Sequence, residues 1–151
     1  MIYKGEELFK LLSVSVDSDK AQFPPKVFEL LKGEFIEYVE GKSIKMRYPI
    51  QTKFDNPFHI TFGGTLGMYF DMTFGPFSGL VTQAATTSLD LNICFLKTLS
   101  IADEYVYINA HVVSQSKQFL TLRADAYKGD NILVGTATSR MMIFNPNRIK
   151  R

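Results

Sequence analysis

Between Asp55 and Gly75 the chain reads DNPFHITFGGTLGMYFDMTFG, and this stretch holds the residue types best suited to chemistry. One carboxylate, Asp71, sits in an apolar run seven residues after the second glycine of a pair, and no Lys or Arg occurs between Lys53 and Lys97. A carboxylate taken out of water without a cation takes up a proton or gathers hydrogen-bond donors. Buried there, Asp71 is a candidate general base or nucleophile in a pocket. The competing use is a carboxylate at the rim of a helix, bonded to a Ser or Thr.

The glycines bear on that choice. Gly63 and Gly64 suit a helix interior poorly, at about 1 kcal/mol each relative to Ala. At a helix N-terminus they leave backbone N–H groups uncovered where the dipole favours negative charge, which makes an oxyanion site. A tight turn into the helix is the plainer use of such a pair. Gly64 and Asp71 are nearly two turns apart on one face, roughly 10 Å along the axis. A base and an oxyanion donor serving one carbonyl must both come within about 3 Å of it, so one helix does not easily supply both. Two antiparallel copies do. If the pair is catalytic, it implies a dimer with two shared sites, Gly64 of one subunit facing Asp71 of the other.

The elements that must position these residues follow from periodicity. GEELFKLLSV has helical spacing with acids in its first turn, and AQFPPKVFELLKG reads as a short helix that starts near Pro and stops at Gly33. EFIEYVEG and KSIKMRYPI alternate around Gly41 as a strand pair. Residues 51–61 read as a loop, and Gly63 to about Gly75 as a helix apolar nearly all round, hence buried; PFSGLVTQAATT reads as the turn that leaves it. In TSLDLNICFLK, Leu89, Leu91, Ile93 and Phe95 share one face of a strand. EYVYINAHVVSQ, FLTLRADAY and ILVGTATSRMMIF alternate similarly, with KGDN as a turn, and the tail NPNRIKR is polar and expected to fray. Successive strands with such short links are expected to pair antiparallel. The fold class is therefore α+β, a long antiparallel sheet curled around one apolar helix.

Composition narrows the function. The 151 residues fit one domain, with 46% hydrophobic residues, 13 Phe and 7 Tyr. A net charge of +2 with scattered cations gives no case for nucleic acid. The single cysteine, Cys94, cannot form an internal disulfide, so a cytoplasmic, reducing setting is expected. Neither a membrane span nor a secretory signal is expected. His59 and His111 have no cysteine pair for a zinc site. There is no nucleophile elbow, phosphate-binding loop or dinucleotide fingerprint.

The sequence resembles the hotdog-fold acyl-CoA thioesterases of the phenylacetate-pathway, PaaI-like group, whose motif is N-x-x-G-x-x-H-G-G, six residues, then D. Asn56, Gly63, Gly64 and Asp71 fall in register with it, and the resemblance runs from about Glu34 to Ile143. TSLDLNICFLK, AHVVSQSKQFLTLRADAY and ILVGTATSRMMI resemble its later strands. The resemblance implies a hotdog domain with core 34–144 and an N-terminal helical extension over 1–33. It also implies hydrolysis of acyl-CoA to acid and coenzyme A, with coenzyme A entering as part of the substrate and no further cofactor or metal. By the same resemblance the Gly64 amide polarises the carbonyl, Asp71 of the partner subunit activates water or attacks, Asn56 holds the water or thioester, and Ser88 bonds to Asp71. Gly63, Phe62, His59 and Met68 would contact substrate, with Lys97 and Lys117 available to its phosphates. The assembly implied is a homodimer or a dimer of dimers. Two departures stand out: the motif His is Phe62, which cannot donate a hydrogen bond, and its earlier Gly is His59. A non-catalytic acyl-CoA or fatty-acyl binder of the same fold is the alternative they raise.

Overall fold

The structure, a computed structural model, describes residues 1–15 and 21–144, so the polar tail lies outside it. The chain opens with a three-residue strand β1 (Ile2–Lys4), helix α1 (Gly5–Ser15) and helix α2 (Lys26–Leu31). Strands β2 (Glu34–Val39) and β3 (Ser43–Pro49) follow, then helix α3 (Gly63–Thr82). After it come β4 (Ala85–Ser88), β5 (Asn92–Phe95), β6 (Tyr105–Gln115), β7 (Phe119–Lys128) and β8 (Ile132–Phe144). Among the described residues these eight strands form one antiparallel sheet in the order β1-β2-β3-β6-β7-β8-β4, with β5 also on β8. The sheet wraps α3, which is the expected hotdog arrangement.

Alternation decides which face the sheet turns to the helix. Ile44, Met46 and Tyr48 of β3, Val106, Ile108 and Ala110 of β6, and Leu120, Leu122, Ala124 and Ala126 of β7 are all buried. The row Ala110, Ala124, Ala137 crosses β6, β7 and β8 in register, and the next row ends at Gly135. These small residues leave room for the large side chains of α3. A Cβ at Gly135 would lie 3.1 Å from Leu66 Cδ2 and 3.1 Å from the Cys94 carbonyl oxygen, so only glycine lets helix and strand approach this closely. From α3, Leu66, Tyr69, Phe70, Phe74 and Phe77 fill the space above the sheet, each at most 4% exposed.

Four readings need correction. Helix α3 does not stop at Gly75 but runs through Pro76 to Thr82. A proline removes one helical hydrogen bond and crowds the preceding turn, yet burial of Phe77, Ser78 and Leu80 beyond it holds the helix together. TSLDLNICFLK is not one strand: β4 and β5 both pair with β8 and are separated at Leu89–Leu91. The break is stitched by Asp90, which accepts from the Arg140 amide at 2.9 Å and from Ser139 Oγ at 2.9 Å. Leu89, in the break, is 51% exposed; Phe95 keeps the helix side of β5 with Ile93 and is nonetheless 57% exposed at the strand's end. β5 does not pair with its successor β6 either; β6 lies against β3 and β7. Gly33 does not close α2 by its conformational freedom, since Lys32 takes the left-handed position, φ 53°. Gly33 is needed because a Cβ there would lie 2.8 Å from the Tyr48 ring and 2.9 Å from the Phe28 ring.

Candidate active site

Helix α3 begins without a side-chain cap. Its N-cap residue is Phe62, and the first intrahelical contact is the Thr65 N–H to the Phe62 carbonyl at 2.9 Å. Among the described residues the Gly63 and Gly64 N–H groups have no partner, as the first turn of a helix requires. Both glycines are exposed. Each carries an aromatic ring where its own side chain would have been: Phe95 stands 3.3 Å from the Cβ position of Gly63, and Phe62 stands 3.3 Å from that of Gly64.

Asp71 lies two turns along on the same open stripe. Gly64, Asp71 and Gly75 are exposed, and Met68 and Gly79 are half-buried. The expectation of a buried Asp71 is thus corrected for the single chain: its neighbours in sequence, Phe70 and Met72, point into the core while Asp71 points away. Its expected partner is in place, since Ser88 Oγ at the end of β4 donates to Asp71 Oδ1 at 3.1 Å.

The loop before α3 is built around Asn56. Its Oδ1 accepts from the Phe58 N–H at 2.9 Å and the Ile60 N–H at 3.3 Å, so this oxygen serves the loop and the Nδ2 group is the part left for a ligand. The loop is fastened by the Phe62 N–H to Phe54 O and the Thr61 N–H to Leu99 O, both 2.8 Å. The opposite wall, residues 95–99, is held from behind by Lys128, whose Nζ donates to Thr98 O at 2.8 Å and pairs with Asp103 at 3.2 Å.

Between loop and wall lies a cavity of about 330 Å³ lined by Asn56, Ile60, Thr61, Gly63, Leu66 and residues 95–99. Thr61 Oγ1 and Asp55 Oδ1, on two residues joined by a β-bridge, are buried without a hydrogen-bond partner among the described residues. A larger hollow of about 550 Å³ lies on the outer face of the sheet among Lys45, Tyr107, Asn109 and Tyr127. Of the two, the smaller cavity is the better candidate, because it touches the start of α3 and has an apolar recess for a substrate.

Asn56, Gly63 and Lys97 thus meet at the cavity, and Phe62 lies on Gly64 beside it. His59 is exposed at φ 59° and is not part of the lining, and Lys117 lies exposed in the β6–β7 turn. Met68 packs against the core from the open stripe. Sequence reading missed Phe95, Leu96 and Leu99. The signal for them was the adjacent Phe95–Leu96 pair, which breaks strict alternation where the strand ends. Among the described residues no group of His, Cys, Asp or Glu is placed to hold a metal, and no helix is long and apolar enough to cross a membrane.

The wrapped helix, its glycine-opened N-terminus and the strand order define a hotdog-fold domain. Comparison with solved structures gives the same class. The chain is similar to PaaI of E. coli, from the phenylacetic acid degradation operon, with a TM-score of 0.79 at 15% identity over 91% of this chain and 94% of that one. It is also similar to a thioesterase of Haemophilus influenzae (TM-score 0.76, 16% identity, 95% and 92% covered). A third is a putative thioesterase, a phenylacetic acid degradation-related protein, of Ralstonia eutropha (TM-score 0.72, 23% identity, 90% and 98% covered). No family model and no curated protein matches the chain. At these identities the likeness is one of fold.

Proposed function

We propose that the protein hydrolyses acyl-CoA thioesters to free acid and coenzyme A in sites shared by two copies of the chain. The observation that carries the reading is the open stripe of α3, which presents uncovered N–H groups at one end and the Ser88-bonded carboxylate of Asp71 two turns away. Asp71 takes a proton from water as the water oxygen attacks the thioester carbonyl. Gly64 of the partner subunit donates its N–H to the carbonyl oxygen as it becomes an oxyanion. The tetrahedral intermediate collapses, the C–S bond breaks, and the proton held by Asp71 passes to the leaving thiolate. Direct attack by the carboxylate, giving a mixed anhydride that water then opens, uses the same atoms. Asn56 offers its Nδ2 group to the water or the thioester, and Ser88 orients Asp71. Lys97 at the cavity meets the phosphates of coenzyme A, with Lys117 as a further contact.

The test is free-thiol release from short, long and aryl acyl-CoAs by the wild type beside Asp71→Asn. Turnover lost in a folded variant supports the mechanism, and unchanged turnover removes Asp71 from it. A second reading is a non-catalytic acyl-CoA or fatty-acyl binder. It is favoured by Phe62, whose ring lies against Gly64 in the place of the motif His. Tight binding with no thiol released by the wild type would select it.

A further inference from the structure

The cavity beside α3 has a buried end and an exposed one. At the buried end, Leu66 and Leu99 are 4% and 3% exposed, and the Thr61–Leu99 backbone bond ties the loop to the wall. At the exposed end stands Phe95, the last residue of β5, a short strand that pairs with β8 among the described strands. Its ring is more than half exposed. The ring meets Gly63 end-on: a Cβ on Gly63 would lie 3.3 Å from Cζ, with the two Cε atoms at 3.4 and 3.9 Å. The tip thus touches the residue that opens α3, beside the N–H groups that a thioester carbonyl would approach. No side chain on Gly63 keeps it away. At about 330 Å³ the cavity is also small, near the lower end of the roughly 300–1,000 Å³ usual for small-molecule sites.

Building on the thioesterase reading of this site, we propose that Phe95 sets the length of the acyl group: its ring ends the cavity at the start of α3, so short to medium straight chains fit and longer ones do not. An apolar pocket discriminates by about 10- to 200-fold per methylene, so the position of one ring is enough to fix a length limit.

The test measures affinities of non-hydrolysable acyl-CoA thioethers of increasing chain length, by calorimetry, for the wild type, Phe95→Ala and Phe95→Trp. Phe95→Ala should move the best-bound chain to greater length, raising the long-to-short affinity ratio about tenfold or more; Phe95→Trp should move it the other way. Melting curves check that both variants fold. An unchanged ratio in both variants overturns the proposal, as does a wild type that binds none of the thioethers. Thiol release from the matching thioesters separates the two ideas. Release with the length preference intact in the variants keeps hydrolysis and removes Phe95. A length shift in binding without release by the wild type keeps Phe95 and removes hydrolysis.

Discussion

The two faces of α3 are made from one run of apolar sequence and do opposite things. The inner face sets Leu66 and Phe70 over Gly135 and packs Tyr69 and Phe77 on the rings of Tyr48 and Tyr38, none of the four more than 4% exposed. The outer face carries Gly64, Asp71 and Gly75 in the open. The inner face is a packing solution, in which every volume matters. The outer face has almost no side-chain volume, so other atoms can come close to the helix backbone and to one carboxylate. Glycine thus has two uses here: Gly75 and Gly79 leave the helix surface uncovered, whereas Gly67, against Ile93, and Gly135 across the core let two elements touch.

Substitutions on the two faces should separate stability from activity. Phe70→Ala leaves a cavity over Gly135 and should cost about 3–5 kcal/mol, read as a lowered midpoint of denaturant unfolding. If the loss is under about 1 kcal/mol, the inner face is not packed as described. Asp71→Asn should do the reverse. Loss of a general base lowers thioester turnover by about 10²- to 10⁴-fold, while stability at an exposed position changes by no more than about 0.5 kcal/mol. Gly135→Ala falls between them. Its methyl group would press on a backbone carbonyl and on Leu66, and such overpacking costs about 1–3 kcal/mol. Activity would follow only as far as Leu66 moves the cavity wall.

How much of this could be read from the sequence varies with the physics of each element. Strands β6, β7 and β8 alternate because one face is buried and the other solvated, and that pattern is local. The pairing of Ser88 with Asp71 was legible only through the resemblance, since 17 residues separate them and neither periodicity nor charge links them. The second half of α3 was hidden because Gly75-Pro76 carries the local signature of a stop; only the core contacts of Phe77 and Leu80 overrule it. Strand β1 is three residues long, too short for any period to show, and exists because Ile2, Tyr3 and Lys4 pair with β2. The exposure of Asp71 was misread because the apolarity of a run averages over all sides of a helix. Asp71 sits between two buried neighbours in sequence and on the opposite side from both in space. The exposure of Phe95 does not show in the alternation, because it shares the helix side of β5 with Ile93 and is open only through its place at the strand's end, over the start of α3.

The finest contrast lies within the inner face itself. Tyr48 of β3 and Tyr69 of α3 stack with ring centroids 4.7 Å apart, and both are fully buried. Thr73 Oγ1 gives its proton to the Tyr69 carbonyl at 2.8 Å, so the Tyr48 hydroxyl is the donor in its 2.9 Å bond to Thr73 Oγ1. Among the described residues the Tyr69 hydroxyl has no partner. Tyr48→Phe should therefore cost about 1 kcal/mol, the net worth of a buried hydrogen bond, whereas Tyr69→Phe removes an unsatisfied group and should be neutral or stabilising. Alkali sharpens the test. Burial raises both hydroxyl pKa values above 10.0, that of Tyr69 to about 12. The unfolded chain then loses these protons first, so this stability is full below pH 10.0 and is lost as pH rises through the folded values. Unfolding midpoints at about pH 8 and about pH 11 should show the wild type weakening more than Tyr69→Phe over that interval. Equal losses in the two proteins would mean that the Tyr69 hydroxyl is hydrated or bonded, and that the inner face of α3 is less dry than its packing indicates.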